Sequence, residues 1–284
     1  MHEDELADEK IRTFMMASME LLMDEKWLYG TQDEALKEQQ PFWIRYGINM
    51  HNGGFDRFVK STLADFFLEW DVSGWDKKLG LLEKVMGIRN KLLREGVGDK
   101  IWEQIKGTAS RVTKMVVEHP LLLPNGDVIT WPWSQMSGDG MTTSNNCLAH
   151  CLIMTYMLIK ANPQTSNKEL LAQLVNIYGD DVFAGLMEKF SKMKSFDFVN
   201  SVYQEFGMQV KAGTFKCQDT PEGMSFLGAT VRGFKSEGKP YFAPSYKRDR
   251  ILTALQYSLG PLDADEELMK CYSLLELGWY DCYD

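Results

Sequence analysis

The stretch IYGDDVF, residues 177–183, places two adjacent carboxylates after a glycine and between two apolar runs. Neighbouring aspartates repel each other and favour neither a helix nor a strand. Glycine permits a sharp bend. The pattern therefore predicts a hairpin turn with both aspartates at its tip, between strands at Leu171 to Tyr178 and Val182 to Gly185. The carboxylates of such a turn point into a cleft, where they are either solvated or positioned to bind a cation.

A second acidic element, DVSGWD, covers residues 71–76. It follows an apolar run that we interpret as a buried strand from Phe66 to Val72, so Asp71 is expected at the rim of a sheet. Mg²⁺ prefers oxygen ligands and commonly combines a few protein carboxylates with water and substrate phosphates. Two aspartates at strand ends match that preference. Taken alone, the stretch is more typical of a strand that leaves a sheet into a turn.

A third element, SGDGMTTSNN at residues 137–146, precedes a long apolar helix predicted for Thr142 to Ala161. Its glycines allow a flexible loop, and the first turns of a helix offer polar side chains and free N–H groups to a ligand. An ordinary capped helix start accounts for the serine and threonines. It does not account for Asn146 on an otherwise apolar helix face.

The rest of the chain alternates between helical and strand patterns, which predicts an α+β fold. Turn residues predict hairpins around PNGD at 124–127 and around GFKSEGKPYF at 233–242. The further expected elements are helices at Gly80 to Glu95 and Asp263 to Tyr280, a helical stretch that begins within Phe183 to Phe190 and continues through Ser195, and strands at Gly207 to Val210 and Ser225 to Arg232.

The amino-acid composition and net charge restrict the classes of protein to which the chain can belong. The hydrophobic fraction of 44% and the charged fraction of 25% are those of an ordinary globular chain. The net charge of −9 argues against a general nucleic-acid binder, although residues 231–250 carry six basic and two acidic side chains. We expect that cluster to be either a solvated hairpin or a local contact to a nucleic-acid backbone. Because residues 1–10 are acidic, we expect no secretory signal there, and no apolar run is long enough to span a bilayer.

The five cysteines include no C-x-x-C pair, which favours free thiols in a reducing compartment. Cys147, His150 and Cys151 would lie on adjacent turns of the predicted long helix. A metal site would need a fourth ligand that the sequence does not supply. We therefore interpret the three as buried residues of the core.

The three polar elements together resemble the palm motifs of RNA-dependent RNA polymerases from positive-strand RNA viruses, in the picornavirus-like, sobemovirus-like and astrovirus-like group. Motif A of that family, D-x(4,5)-D, corresponds to Asp71 and Asp76. Motif B, S-G-x-x-x-T-x-x-x-N, corresponds to residues 137–146, and motif C, G-D-D, corresponds to residues 179–181. Each motif is weak alone, but their combination in this order is specific.

Weaker matches extend the resemblance over most of the chain. Lys10 and Arg12 look like the basic motif F that contacts the triphosphate. The segment FGMQVKAGTFK, residues 206–216, is similar to motif D, in which a lysine acts as general acid; Lys211 fits by position and Lys216 is its competitor. Residues 225–228 look like motif E, the hairpin that supports the primer end, although the basic residue nearest to it in the sequence, Arg232, lies four positions beyond it.

The resemblance implies a role for each matching side chain. Asp71 and Asp180 would hold two Mg²⁺ ions, or Mn²⁺ in their place, with less direct help from Asp181. Asp76, Ser137 and Asn146 would form a hydrogen-bond set around the ribose of the incoming nucleotide, where a carboxylate accepts a hydrogen bond from the 2′-OH. Gly138 and Thr142 would belong to the same pocket. Motif E would support the primer end through Phe226, Leu227 and Gly228.

The resemblance also implies an organisation and a setting. The fold would be a right-hand polymerase palm, with partial fingers at residues 1–60, the palm at 61–235 with a fingers insertion near 96–133, and the end of the palm hairpin and start of a truncated thumb at 236–284. The partners would be an RNA template and nascent strand, ribonucleoside triphosphates and other viral replication proteins. The setting would be a membrane-associated replication complex in the host cytoplasm. Since fingers and thumb look incomplete, we expect weak or no activity from the chain in isolation.

Two alternatives remain open at the level of sequence. A reverse transcriptase shares the carboxylate palm, but the L-P-Q-G loop is missing, and the pair Asp76 and Asn146 selects for a ribose hydroxyl. An inactive palm fragment or acidic domain could instead use the DD turn to bind a cation for structure, or a cation and RNA. The calcium-loop pattern D-x-[DN]-x-[DN]-G is missing, which weakens the structural-cation alternative.

Overall fold

The structure is a computed structural model that describes residues 15–50, 53–62, 64–130, 132, 134–256 and 263–278. The helices are α1 (Met19–Gln39), α2 (Gly54–Ser61), α3 (Trp75–Lys78), α4 (Leu82–Val97), α5 (Asp99–Glu118), α6 (Thr142–Ala161), α7 (Asn167–Leu171), α8 (Phe196–Glu205), α9 (Arg248–Gln256) and α10 (Ala264–Gly278). Short 3₁₀ helices cover Glu188–Lys194 and Ala212–Thr214.

The strands form one main sheet and three smaller ones. They are β1 (Phe66–Trp70), β2 (Val72–Ser73), β3 (Pro120–Leu122), β4 (Val128–Thr130), β5 (Leu174–Tyr178), β6 (Asp181–Leu186), β7 (Gln209–Val210), β8 (Lys216–Gln218), β9 (Ser225–Phe226), β10 (Ala229–Ser236) and β11 (Lys239–Tyr246). The main sheet has the order β5-β6-β1-β8, and a second sheet has the order β11-β10-β9. The pairs β2-β7 and β3-β4 complete the set of antiparallel ladders.

The register of the main sheet positions the acidic elements. Strand β1 runs antiparallel to β6 with Trp70 opposite Val182. Strands β5 and β6 form a hairpin closed by the pair Tyr178 and Asp181. The residue after Trp70 therefore emerges at the same sheet edge as the turn between β5 and β6.

Both faces of the main sheet are covered. All five residues of β1 are buried. Phe66, Leu68 and Trp70 join the core formed with α6 and α8, whereas Phe67 joins a second core with α2 and strands β9 and β10. Full burial of a large apolar side chain contributes about 1.5–3 kcal/mol. The two cores therefore fix the sheet that carries the acidic edge.

A third apolar cluster lies outside the main sheet. It packs α1 against α4 and α5 through Leu28, Tyr29, Met86, Val112 and Val116. Met136 and Met141 belong to the same cluster and flank the loop before α6. That loop is therefore packed against α1 and α5 from its apolar side.

The α+β interleaving is confirmed, as are the helix Thr142–Ala161 and the hairpins at 124–127 and 233–242. The helix predicted from Gly80 begins at Leu82 and ends at Val97. Over the described residues, the predicted tail helix covers Ala264–Gly278. The predicted domain boundaries remain a prediction.

Several predicted elements were wrong in part. The strand expected from Phe66 to Val72 is interrupted at Asp71. The strand expected from Leu171 begins at Leu174, because a capping box of Ser166 and Glu169 starts helix α7 just before it. The helix expected within Phe183 to Phe190 is strand β6 followed by a 3₁₀ helix. A strand buried on both faces has no alternating pattern, so its apolar run cannot be distinguished from a helix.

Close packing at Gly185 of β6 provides a test of this arrangement. A Cβ atom there would overlap the carbonyl oxygen of Thr62 and lie 3.0 Å from Cβ of Ala64. We expect Gly185→Ala to lower the free energy of unfolding by about 1–3 kcal/mol, the usual effect of overpacking a core. Gly87→Ala, in the interior of α4 with nothing within 4 Å, is the matched control and should raise it by about 0.5–1 kcal/mol. Equal urea midpoints for the two variants would contradict the packing described.

Candidate active site

The turn between β5 and β6 consists of Gly179 and Asp180 alone. Gly179 has a φ of +63°, in the left-handed region that favours glycine. Its N–H donates to Sγ of Cys147 at 3.2 Å. Asp181 is the first residue of β6 and pairs with Tyr178. The expectation that both aspartates occupy the tip is therefore wrong, because the strand begins one residue earlier and only Asp180 remains in the turn.

Asp71 leaves the main sheet at the same edge. Its N–H donates to Oγ1 of Thr214 at 2.9 Å, and its carbonyl oxygen accepts from the N–H of Lys211 at 2.9 Å. Asp71, between the end of β1 and the start of β2, is held by these two backbone bonds. The ammonium group of Lys211 forms an ion pair with the Asp71 carboxylate.

Three carboxylates interact at this edge. Burial raises the pKa of Asp181 to about 6, and the charges of Asp180 and Asp71 add to the effect, whereas a hydrogen bond from the N–H of Leu227 opposes it. Burial also raises the pKa of Asp180, the nearby Asp71 adds to the rise, and Lys211 opposes it. Asp180 is exposed to solvent in the turn, but the protein around it still removes enough water from its carboxylate to raise the pKa. The charged forms of these side chains therefore destabilise one another.

A divalent cation would relieve this repulsion, and carboxylate oxygens are the ligands that Mg²⁺ prefers. Across the part of the chain that the structure describes, however, no three acidic, histidine or cysteine side chains form a ready metal-binding cluster. The Asp71 carboxylate is engaged in an ion pair with Lys211. The donor set fits a hard cation, provided that Asp71 exchanges its ammonium partner for the ion.

Asp76 and Asn146 lie next to these carboxylates. Burial raises the pKa of Asp76, the charge of Asp180 adds to the rise, and a hydrogen bond from Asn146 lowers it. Asn146 is buried, and its Oδ1 has no partner among the described residues. The carbonyl oxygen of Asp76 accepts from the N–H of Gln135 at 2.6 Å, which connects motif A to the segment before motif B. The pair thus offers a carboxylate and a free amide oxygen beside the acidic edge.

The other motif B residues bond either to Met15 or within their own loop. The N–H of Gly138 donates to the carbonyl oxygen of Met15 at 2.8 Å, and Oγ of Ser137 accepts from the N–H of Met15 at 3.4 Å. Oγ1 of Thr142 donates to the carbonyl oxygens of Met136 and Asp139, at 2.6 and 2.8 Å. These described bonds do not join Ser137, Gly138 or Thr142 to Asp76 or Asn146.

A buried arginine, which the sequence-based prediction missed, holds the start of α6. Arg89 of α4 is fully buried. Its Nε donates to Oδ1 of Asn145 at 2.7 Å, and its Nη2 donates to Oγ of Ser144 at 2.5 Å and to Asp33 of α1 at 2.8 Å. The helix turn before Asn146 is thereby fixed to α1 and α4. The signal was available, because Arg89 follows Leu82, Val85 and Met86 on the buried helix face.

A buried carboxyl group supports the motif B loop from α1. Oε2 of Glu25 accepts from the N–H of Gly140 at 3.1 Å. Burial raises the pKa of Glu25 to about 9, and the nearby Asp139 adds to the effect, so the group is protonated at neutral pH. Oδ1 and Oδ2 of Asp139 accept from the N–H of Met141 and from Nε2 of Gln135, each at 2.8 Å. No sequence pattern distinguished Glu25 from the exposed acids of α1.

The two candidate lysines have different partners. Lys211 faces Asp71, as described above, whereas Nζ of Lys216 pairs with Oε1 of Glu69 at 2.6 Å and donates to the carbonyl oxygen of Gly223 at 3.2 Å. Lys211 is therefore the one in contact with a predicted metal ligand. Its role as a general acid remains a prediction.

The residues predicted to support the primer form a tight turn beside Asp181. Leu227 and Gly228 connect β9 to β10 with φ values of 54° and 74°, as in a two-residue hairpin turn of type I′. Phe226 is buried in the second core. The guanidinium group of Arg250 lies against Gly228, whereas Arg232 is exposed and lies 3.9 Å from Glu222. A basic side chain from α9, Arg250, thus contacts this turn.

The remaining predicted positions divide into two groups. Lys10 and Arg12 lie outside the described residues. Cys147 and His150 are buried, and both contact Gly179 through hydrogen bonds. Cys151 is half-buried against the first core. Their interpretation as core residues agrees with these contacts.

With this geometry in place, comparison with known proteins decides the family. The model of the viral RNA-dependent RNA polymerase family matches residues 2–275. The chain belongs to this family.

Viral polyproteins are among the relatives of this polymerase-family chain. It is 27% identical to the non-structural polyprotein 1AB of Turkey astrovirus 2 over 214 residues, which are 70% of the chain and 13% of the polyprotein. It is 23% identical to the genome polyprotein of Plum pox potyvirus (strain El amar) over 281 residues, which are 95% of the chain and 17% of the polyprotein. The chain thus corresponds to less than a fifth of these relatives.

Solved structures agree with the polymerase fold. The RNA-dependent RNA polymerase of a human picorbirnavirus matches with a TM-score of 0.69 and 16% identity, over 93% of this chain and 48% of that one. Its insertion-loop deletion mutant matches with a TM-score of 0.71 and 17% identity, over 95% and 51%. The chain spans about half of each solved polymerase and has its α+β fold. Among the described helices of this polymerase-family chain, none combines the length and apolarity that a membrane crossing requires.

The raised pKa of Asp181 generates a pH-dependent stability prediction. Since its folded-state pKa of about 6 exceeds the unfolded value of about 4, the protonated carboxyl stabilises the fold, and this contribution is lost as the pH rises through 6. With chelator present, we expect Asp181→Asn to be more stable than the wild type by about 1–2 kcal/mol at pH 8 and by much less at pH 4. Thermal unfolding across this range measures the difference. Asp197→Asn, at the exposed start of α8, is the control, and a pH-independent difference for Asp181→Asn would contradict the assignment.

Proposed function

We propose that this chain carries the catalytic part of a viral RNA-directed RNA polymerase, which joins ribonucleoside triphosphates on an RNA template for replication and transcription of a positive-strand RNA genome. The observation that carries the proposal is the convergence of Asp71, Asp180 and Asp181 at one sheet edge with Asp76 and Asn146 beside it. Family membership supports it independently.

The acidic edge would bind two Mg²⁺ ions, or Mn²⁺. Asp71 and Asp180 would be the principal ligands, and Asp181 would assist from the start of β6. The raised pKa values of Asp180 and Asp181 support this assignment, because burial and the nearby charge of Asp71 make each charged form unfavourable without a cation. When bound, such ions supply activation of a hydroxyl nucleophile and stabilisation of the charge on the leaving oxygen.

The reaction is a nucleotidyl transfer. The 3′-hydroxyl oxygen of the nascent strand forms a bond to the α-phosphorus of the incoming nucleotide, and the bond from that phosphorus to the bridging oxygen of pyrophosphate breaks. Lys211 would donate a proton to the departing pyrophosphate, with Lys216 as the alternative donor. The contact of Lys211 with Asp71 supports the first choice, since Lys216 is paired with Glu69.

The ribose pocket would be formed by Asp76 and Asn146. Asp76 would accept a hydrogen bond from the 2′-OH, and the unpaired Oδ1 of Asn146 supports a polar ligand at this position. Ser137, Gly138 and Thr142 would form the wall of this pocket through their loop. This selection for ribose also separates the proposal from a reverse transcriptase.

The other contacts concern the triphosphate and the RNA. Lys10 and Arg12 would pair with the triphosphate, because arginine and lysine bind phosphate strongly. Phe226, Leu227 and Gly228 would support the primer end. Base pairing would select the nucleotide, so the protein needs backbone contacts rather than base readout. Fingers at 1–60, the palm at 61–235, and the end of the palm hairpin with the start of the thumb at 236–284 would enclose the RNA.

The cellular setting follows from the polyprotein relatives. Replication in the host cytoplasm, together with other viral replication proteins, is the context that these relatives support. Association of that complex with membranes is part of the proposal and would involve partners of the chain.

Substitution of the turn aspartate tests the catalytic assignment. In the intact replication protein that carries this sequence, Asp180→Asn should reduce primer extension on a primed RNA template by roughly a thousandfold, because a metal ligand contributes several kcal/mol to the transition state. Extension with Mg²⁺ or Mn²⁺ is followed by incorporation of labelled nucleotide. Asp197→Asn should extend normally. Normal extension by Asp180→Asn would refute the metal assignment.

Sugar selection tests the ribose pocket. Asp76→Ala or Asn146→Ala should lower the preference for ribonucleotides over deoxyribonucleotides by about fivefold or more, the effect of losing one or two hydrogen bonds. The ratio of kcat/KM for the two substrates measures it. Asn125→Ala, on the exposed hairpin between β3 and β4, is the control. Unchanged discrimination in both pocket variants would remove Asp76 and Asn146 from the pocket.

A further inference from the structure

A chain of hydrogen bonds lies beneath the acidic edge. Nε1 of Trp70 donates to the hydroxyl oxygen of Tyr203 at 3.0 Å. That hydroxyl lies 2.7 Å from Nε2 of His150, and Nδ1 of His150 lies 3.1 Å from the carbonyl oxygen of Gly179. All four residues are buried. These bonds connect β1, α8, α6 and the turn after β5.

The direction of each bond follows from the groups involved. A carbonyl oxygen can only accept, so Nδ1 of His150 carries the proton and donates to Gly179. Burial lowers the pKa of His150 to about 4, so the ring is neutral at physiological pH and Nε2 accepts from the Tyr203 hydroxyl. The indole of Trp70 can only donate, and the hydroxyl oxygen accepts from it. The donor and the acceptor of every bond are therefore assigned. The Tyr203 hydroxyl is the junction of the chain, because it accepts from Trp70 and donates to His150.

The chain of bonds ends next to two proposed metal ligands. Trp70 immediately precedes Asp71, and Gly179 immediately precedes Asp180. The ring of His150 also packs on Trp75, the residue before Asp76, with 4.7 Å between centroids. The residue before each of these three aspartates thus contacts either His150 or its bonded partner Tyr203.

We propose that Tyr203 and His150 are positioning residues that set the separation of Asp71 and Asp180 and thereby the affinity of the acidic edge for divalent cations. The inference rests on the proposed function, since it assumes that both aspartates bind the ions. Metal coordination tolerates only small changes in ligand position, and supporting bonds behind the ligands maintain them. Without the Tyr203 hydroxyl, Trp70 and His150 each lose a buried partner, and the strand end and the turn are free to shift relative to each other.

Removal of one hydroxyl group tests this role. Tyr203→Phe preserves the ring and deletes the junction of the bond chain. Tyr156→Phe is the matched control, because its hydroxyl donates to Glu205 at 2.6 Å on the exposed side of the same helix pair, α6 and α8. Both variants are compared with the wild type and Asp180→Asn in the full chain, at a temperature where thermal unfolding shows each to be folded.

Affinity for Mn²⁺, measured by electron paramagnetic resonance, is the readout. We expect Tyr203→Phe to bind Mn²⁺ about fivefold more weakly, which corresponds to the loss of one hydrogen bond. Tyr156→Phe should match the wild type, and Asp180→Asn should bind most weakly. Equal affinities for Tyr203→Phe and Tyr156→Phe would overturn the proposal, even if Tyr203→Phe lost thermal stability, because a purely structural residue would change stability alone.

A second variant and a second measurement extend the test. His150→Asn retains an amide that can donate to Gly179 but cannot reach Tyr203, so its Mn²⁺ affinity should fall by a similar factor. Nitrogen-15 spectra of the wild-type histidine should show the neutral Nδ1–H tautomer from pH 8 to pH 5, and the opposite tautomer would contradict the bond chain. If the variants bind Mn²⁺ as expected but the intact protein synthesises no RNA, the proposed function is refuted and the positioning role remains supported.

Discussion

The antiparallel pairing of β1 with β6 is the constraint on which the rest of the site depends. It places Trp70 opposite Val182, so the residues that follow one strand and precede the other meet at one edge. Motif A and motif C are far apart in the sequence, and this ladder makes them neighbours. Cores on both faces of the sheet then hold the edge in place.

The acidic edge combines strong packing with unfavourable electrostatics. Burial and the charge of Asp71 raise the pKa values of Asp180 and Asp181, and Lys211 offsets part of the charge through its contact with Asp71. Clustering these carboxylates, as the proposed cation binding requires, therefore lowers the stability of the fold at this edge, a trade-off that is common at functional sites. The surrounding apolar cores supply the free energy that keeps the aspartates together.

The sequence predicted the fold class and the three polar elements, because glycine turns, strand-end aspartates and a polar helix start are local patterns. It could not show contacts between distant residues. The burial of Arg89 against Ser144, the protonated Glu25 beneath Gly140 and the bonds of Tyr203 depend on tertiary packing. The strand expected at Val182 to Gly185 is present as β6, but the helical stretch expected to begin within Phe183 to Phe190 begins only at Glu188, because a strand buried on both faces has no alternating polarity to mark where it ends.

The continuous burial of β1 has a consequence for strand alignment. A strand buried on both faces is a near-continuous apolar run without alternation, so a slip along the ladder exchanges one buried apolar side chain for another and the apolar pattern by itself does not define the alignment. Glu69 is the one charged residue within β1, and it bonds to the N–H of Ser225 and to Lys216. A slipped β1 would leave this buried carboxylate without its partners, at a cost of several kcal/mol. The bonds of Glu69 thus specify the register of β1. That register in turn determines the position of Asp71, two residues later.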